Sequence, residues 1–392
     1  VHDAHPLYGR YMDNETMLKD LTLMKQANIN TVRTSHYPRH SKMNAMMDAY
    51  GLYMMDEADL ECHGNNGLTR DTTWTEAFVD RNVRMVLRDR NHPSVILWSL
   101  GNENGHGQNM YACYDAIRKL DSRFIHCHGE NATDMYSEMY TSVSSLLRLM
   151  KGRDGKPFFI CEYAHAMGQA VGNLVDYWQN IEKSSGVVGA CIWDWVDQGI
   201  YNPIKIKANE LKDKNGFMHI TGGYDYDPWF KTHANNDKAF QGNYLNNGII
   251  TPDRKWTAKL TEVKKVYQHV EFKDLKDKSM TVKNKYPFNN LDDMFYLQYT
   301  VLKDGVQVEE GTLNVNIPAL QEAKVNVPYQ TVVKNDAEYS LLVGLCLKED
   351  KPWAKKGYRL ADEQFVLNER LPLQEIVAKG KMRVKNNQVT GK

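Results

Sequence analysis

From residue 13 to about residue 200, short apolar runs alternate with segments whose apolar side chains recur every three or four positions. The first periodic segment, Glu15–Ala27, sets Met17, Leu21 and Met24 at i, i+4 and i+7, with Asp13 or Asn14 able to cap it. Further helices are predicted over Lys42–Tyr50, Trp74–Arg88, Gln108–Leu120, Ser144–Lys151 and Leu174–Ser184. Strands are predicted over Thr31–Arg33, Leu52–Asp56, Val95–Leu100, Phe124–His128, Met135–Tyr140, Phe158–Cys161 and Val187–Trp193. Strands that alternate with helices imply a parallel sheet with crossover connections. The expected fold class is therefore an α/β protein, a (β/α)8 TIM barrel. Seven strands are counted, so the expectation includes a missing strand one, which would precede His2. A barrel left open would present an unpaired strand edge.

The pattern changes twice further on. Residues 201–255 show little periodicity, with Gly222-Gly223, Asn235-Asn236 and Asn246-Asn247-Gly248 marking irregular chain. A stretch of that length beside a barrel reads as functional or interfacial. From about residue 270 the period becomes two. Phe295, Leu297, Tyr299 and Val301 alternate before an Asp304-Gly305 turn, and Tyr339, Leu341, Val343, Leu345 and Leu347 form a longer strand. Lys324–Tyr329 and Arg359–Asn368 add two more. This predicts an immunoglobulin-like β-sandwich over 271–368, after a barrel domain over 1–270. Residues 369–392 are polar and lysine-rich, and read as a tail or the start of a further, truncated domain.

Composition narrows the classes. The chain has 392 residues, with 49 basic side chains against 49 acidic ones, so no basic stripe argues for nucleic acid. No apolar run approaches the roughly 18 residues of a membrane-spanning helix. The six cysteines are Cys62, Cys113, Cys127, Cys161, Cys191 and Cys346. They lack zinc-ligand spacing, and Cys127, Cys161 and Cys191, each in an apolar strand-like run, read as buried free thiols. That suits a reducing compartment without excluding the periplasm. The chain opens Val1-His2-Asp3 without an initiator methionine and looks cut.

The candidate chemistry sits at two strand ends. Ser94–Gly107 is an apolar run that closes on Gly101-Asn102-Glu103 and opens into glycines, and Pro157–Ala164 repeats the design with Glu162. Barrels keep their active sites at the C-terminal ends of strands. Two acids placed there suit glycosidic-bond hydrolysis, in which one acid protonates the leaving oxygen and one carboxylate stabilises or attacks the anomeric carbon.

These stretches resemble the two signature regions of the large bacterial β-galactosidases of glycoside hydrolase family 2. The quoted residues are Gly101-Asn102-Glu103-Asn104-Gly105-His106-Gly107 and Cys161-Glu162-Tyr163-Ala164-His165-Ala166-Met167-Gly168. The resemblance extends through Arg33-Thr34-Ser35-His36-Tyr37-Pro38, Tyr50-Gly51-Leu52-Tyr53, Asp56-Glu57-Ala58, Glu61-Cys62-His63-Gly64, Arg88–Ser94 and Trp193-Asp194-Trp195-Val196-Asp197-Gln198. It is dense over residues 2–200 and loose over 220–270.

The resemblance implies a retaining exo-β-galactosidase with Glu103 as acid/base and Glu162 as nucleophile. Retention requires carboxyl groups about 5–5.5 Å apart, and the acid/base should hold the higher pKa at the start of the cycle. It further implies that Tyr140 hydrogen-bonds the nucleophile and that Asn102 bonds the sugar 2-hydroxyl. His2, His36 and His165 would surround the other hydroxyls. Trp193, with Trp195 as the alternative, would face the sugar ring. A magnesium ion would sit on Glu61, His63 and Glu103, and a sodium or potassium ion on Tyr244 and Asn247. Asp225 lies near a stretch that differs from the family pattern. Gln169, Asn104 and Ala4 depart from the residues usual at their positions, and the resemblance implies flanking domains beyond the stretch of sequence matched.

The substrate implied is a small β-galactoside, and full-length relatives are expected to be homo-oligomers. The alternatives are another family 2 exo-glycosidase, such as a β-glucuronidase or β-mannosidase, or a non-catalytic carbohydrate-binding fragment. Because pocket walls would be missing, residues 1–392 in isolation are expected to turn over weakly or not at all.

Overall fold

The structure, a computed structural model, describes residues 1–129, 133–149, 155–168, 171–221, 245–335, 337–368, 380 and 382–390. The chain divides into two compact units, Val1–His269 with Leu347–Ala361, and Val270–Cys346 with Asp362–Lys392.

The first unit is built from α1 (Asn14–Gln26), β1 (Thr31–Arg33), α2 (Ser41–Tyr50), β2 (Tyr53–Glu57), α3 (Thr75–Asp89), β3 (Val95–Ser99) and α4 (Gln108–Arg118). It continues with β4 (Phe124–His126), β5 (Tyr136–Met139), α5 (Val143–Leu149), β6 (Phe158–Tyr163), α6 (Leu174–Ile181) and β7 (Val187–Ile192). Each predicted strand and helix up to Trp193 forms, with ends shifted by at most three residues; the predicted helix end at Lys151 lies outside the described residues. The strands make two parallel arcs, β1-β2-β3-β4 and β5-β6-β7. Backbone bonds from Gly129 N to Ser137 O (3.2 Å) and from Asp134 N to Ile125 O (3.1 Å) link the arcs behind β4. Among the described residues no ladder joins β7 to β1, so the barrel is not closed.

Side-chain alternation along these strands sorts two environments. Val32, Met54, Trp98, Ile125 and Ile160 point outward into the main apolar core, against Leu21, Met24, Met47, Val86 and Ile117 of the helices. Met55, Met135, Phe159 and Cys161 point inward and form a separate apolar cluster.

Two polar anchors hold helix α1. Asp13 caps it, its side chain accepting from Thr16 N at 2.7 Å. In mid-helix Asp20 is buried, a position acceptable only when the charge is paired. Its carboxylate accepts from Arg254 Nε (3.0 Å) and Nη2 (3.1 Å) and from Trp195 Nε1 (3.0 Å). This arrangement ties α1 to the strand end after β7 and to the loop at 251–255. That loop leads into helix Ala258–Val266, capped by Thr257, which the sequence reading did not identify.

In the remainder of the chain, strands Val270–Lys276, Ser279–Asn284 and Glu322–Asn326 form one sheet. Strands Val306–Leu313, Phe295–Lys303, Tyr339–Leu347 and Arg359–Val366 form another, in that order. Phe295, Leu297, Tyr299 and Val301 are buried as their alternation predicts. A hairpin, Arg383–Lys385 with Gln388–Thr390, lies within the segment read as a tail. All six cysteines are free thiols.

Asp20→Ala leaves Arg254 buried without its partner, so it should destabilise the first unit by about 3–5 kcal/mol. A urea midpoint unchanged from that of the parent chain would contradict this.

Candidate active site

The inward-facing positions turn polar at the C-terminal ends of the strands. Arg33 closes β1, Glu57 closes β2, Ser99 closes β3, His126 closes β4 and Ser137 lies on β5; all five are buried. Their arrangement follows from one side chain. Arg33 is only 2 % exposed, so its five N–H groups must find acceptors. Nε donates to Glu57 Oε2 (2.8 Å), and Nη2 donates to Glu57 Oε1 (3.1 Å) and Asn102 Oδ1 (2.9 Å). Nη1 donates to Glu162 Oε1 (2.8 Å) and to the Cys161 carbonyl (3.4 Å).

Glu57 is equally saturated. Besides Arg33 it accepts from Ser99 Oγ (2.7 Å) and from His36 Nδ1 (2.7 Å), so both oxygens carry two bonds. Burial alone would raise its carboxyl pKa, but the Arg33 charge, with the His36 and Ser99 bonds, holds it well below the usual range.

Glu162 reaches the site through a break in strand alternation. Phe159 and Cys161 face inward, so strict alternation would send Glu162 outward and Tyr163 inward. The β5–β6 register shifts between Glu138 and Met139, so that Glu138 pairs with Ile160 and Met139 with Glu162. The extra residue re-aims the chain, as β-bulges beside active sites do. Glu162 therefore points at Arg33, while Tyr163 packs outward with its hydroxyl 2.6 Å from that of Tyr267. The second Glu162 oxygen accepts from the Tyr140 hydroxyl at 2.8 Å. Burial, and then the Glu162 charge, push the Tyr140 phenol pKa upward, so it stays a donor.

Glu103 occupies a different setting. Its side chain is 34 % exposed, with Oε2 2.9 Å from His63 Nδ1. Asn102, directly before it, bridges inward and outward: Oδ1 accepts from Arg33 and Nδ2 donates to Glu61 Oε1 (2.9 Å). Glu103, Tyr140 and Ala164 adopt positive φ of 45°, 50° and 48°. Non-glycine residues at such φ concentrate where a site fixes the backbone.

Aromatic rings line one side. Trp193 stacks on His36 with centroids 5.1 Å apart and planes 13° from parallel, and His2 meets both edge-on at 5.3 and 5.2 Å. Burial pushes the His2 imidazole down to about 3, so it is neutral. His165 lies 5.9 Å from the Tyr140 ring, and burial lowers its pKa too. Trp195, the alternative ring-facing residue, is buried and bonded to Asp20, away from these rings.

The metal candidates are distributed unevenly. His63 and Glu103 touch, and Glu61 is bonded to Asn102. Their oxygen and imidazole donors suit a hard cation with water in its shell. Among the described residues, however, no three His, Cys, Asp or Glu side chains converge on one point. Asn247 is buried, and its Oδ1 has no hydrogen-bond partner among the described residues, which suits a carbonyl-ligated monovalent cation. Tyr244, Asp225 and Gln169 lie outside the described residues.

The profile described as "Glycosyl hydrolases family 2, TIM barrel domain" matches residues 1–272, and that described as "Beta-galactosidase, domain 4" matches residues 280–368. The chain belongs to glycosyl hydrolases family 2. A protein from Photobacterium profundum named "Beta-galactosidase" is 36% identical over 391 residues, covering 94% of this chain and 36% of that protein. One of the same name from Vibrio vulnificus strain YJ016 is 34% identical over 390 residues, covering 93% and 36%. The chain thus spans about a third of the length of these family 2 relatives. A solved family 2 β-galacturonidase from Eisenbergiella tayi bound to glycerol shares the fold, at a TM-score of 0.50 and 18% identity. It covers 70% of this chain and 51% of that one.

Arg33, Glu57, Ser99, His126 and Ser137 were not singled out as site residues from sequence. The available signal was a charge at the end of an otherwise apolar strand, in T-V-R and again in Y-M-M-D-E.

Glu57→Gln should destabilise the chain by about 3–5 kcal/mol near neutral pH by leaving Arg33 underpaired. Because the Glu57 pKa is depressed on folding, its contribution is present above the ordinary value of 4.5 and is lost as the pH falls towards the folded value. The gap between parent and variant in urea unfolding should narrow below that pH. A gap that widens in acid would contradict the assignment.

Proposed function

We propose that this chain is the catalytic part of a retaining exo-β-galactosidase that releases terminal β-D-galactose from β-galactosides. The observation that supports it most is the treatment of Glu162, an inward-turned carboxylate held on one oxygen by Arg33 and on the other by Tyr140. Such a group is held in place and aimed, as a nucleophile must be.

In the first step a Glu162 oxygen bonds the anomeric carbon as the glycosidic C–O bond breaks, and Glu103 gives its proton to the leaving oxygen. In the second, Glu103 takes a proton from water, whose oxygen bonds the anomeric carbon as Glu162 leaves. Glu103 suits this exchange because it is partly open to solvent, whereas Glu162 is not. Asn102 has a second amide hydrogen beyond the one given to Glu61, and it serves the sugar 2-hydroxyl. His2, His36 and His165 meet the other hydroxyls, and Trp193 offers an apolar face to the ring. Magnesium held by Glu61, His63 and Glu103 would supply positive charge beside the acid/base. Asn247 with Tyr244 would hold a sodium or potassium ion.

In the full-length protein, nitrophenyl β-galactoside should be cleaved with a kcat/KM at least about tenfold above that for nitrophenyl β-glucuronide. The reverse preference would replace galactose with a uronic acid as the substrate. A 2-deoxy-2-fluorogalactosyl fluoride should label the peptide carrying Glu162, as read by mass spectrometry. Stoichiometric labelling of any other residue would remove Glu162 from the role.

A further inference from the structure

Behind Glu57 the hydrogen bonds continue away from the proposed nucleophile, and their direction is determined. Glu57 is an ionised carboxylate and can only accept, so the single Ser99 hydroxyl hydrogen points at Glu57 Oε2. Ser99 Oγ, 2.9 Å from His126 Nδ1, is therefore left to accept, and Nδ1 must carry a hydrogen. The other ring nitrogen, Nε2, lies 2.7 Å from Ser137 Oγ.

The imidazole is enclosed and edge-on to Phe159, with ring centroids 5.7 Å apart. Burial, and then the Arg33 charge, push it down to about 3, against the opposing pull of Glu57. His128 adds to the lowering. The ring is neutral, so Nε2 is bare and accepts from the Ser137 hydroxyl. The neighbouring Cys161 thiol, raised to about 12 by burial, keeps its hydrogen and donates to the Glu138 carbonyl. Donated hydrogens thus run one way, from Ser137 to His126 to Ser99 to Glu57. On the far side of Glu57, Arg33 donates both to it and to Glu162.

We propose that His126 is a positioning residue for Glu162: held as its Nδ1–H tautomer, it fixes the Ser99 hydroxyl on Glu57, and Glu57 fixes Arg33 against Glu162. The kinetic consequence rests on the reading of Glu162 as the nucleophile, whereas the proton placement does not.

The proton placement is read by nitrogen NMR of the chain labelled with ¹⁵N-histidine, the His126 signal being the one lost in His126→Asn. At neutral pH it should show a protonated Nδ1 and a bare Nε2. A proton on Nε2, or on both nitrogens, overturns the proposal. In the full-length protein, His126→Leu should lower kcat on nitrophenyl β-galactoside about 10–100-fold while KM stays within about threefold. His126→Asn keeps an N–H towards Ser99 and should recover kcat to within about fivefold of the parent. Equal losses in the two variants, or a loss carried by KM, would overturn it. Should His126→Leu fail to fold, Ser99→Ala removes the same donor from Glu57, and an unchanged kcat there would also overturn it. A parent inactive on every glycoside would instead fail the proposed function, leaving the NMR result to judge the tautomer.

Discussion

The site depends on matching one buried guanidinium. Arg33 comes from a strand of three residues, yet its donors reach the end of β2, the loop after β3 and the end of β6. A buried arginine with an unmatched donor is costly, so each of those segments is held where it can accept. Two carboxylates surround one cation, and further donors share the negative charge: Ser99 and His36 on Glu57, and Tyr140 on Glu162. Shifting any of these strand ends by one residue would put an outward-facing side chain against Arg33 and leave it unpaired.

This matching separates the two acids chemically. Glu162 lies inside the hydrogen-bonded layer, with both oxygens occupied and a register shift to aim it. Glu103 lies above that layer at a positive φ, beside the exposed His63. One carboxylate is thus fixed in place, while the other is partly open to solvent. General acid–base chemistry and nucleophilic attack need that difference, and here it comes from the depth of each group rather than from its residue type.

Much of the first unit was legible because its strands are continuous apolar runs and its helices keep a clear stripe. Strand-end placement likewise pointed to Glu103 and Glu162. The supporting layer was harder to read. Arg33 and Glu57 look like any charges at the edge of a strand until the fold brings β1 and β2 together. The bulge at Cys161 leaves no mark in the sequence, since C-E-Y fits either register. Trp193 and Trp195, two residues apart on an extended chain, both seemed able to face inward. The Trp195 indole instead found the buried Asp20, which is 175 positions away in the chain. Helix Ala258–Val266 was missed because only Leu260 and Val263 are buried along a stretch rich in lysine.

The inward-facing residues also explain why polar groups can occupy the barrel axis at all. Below them Met55, Met135, Phe159 and Cys161 form an apolar cluster, where an unpaired hydroxyl or imidazole would have no partner. At the strand ends Ser99, His126 and Ser137 occur on three consecutive strands, β3, β4 and β5, and each meets the next. They form a polar belt along the upper edge of the apolar interior, closed on Glu57 at one end. Such a belt is stable only if each hydrogen has an acceptor, which admits a single arrangement of protons. The same belt crosses the gap between the two arcs, because His126 belongs to one and Ser137 to the other. The contact that orients the Glu57 side of the site therefore also bridges the arcs where the β4–β5 ladder is missing. The alignment of Arg33 on Glu162 and one of the contacts between the arcs thus belong to one hydrogen-bond sequence.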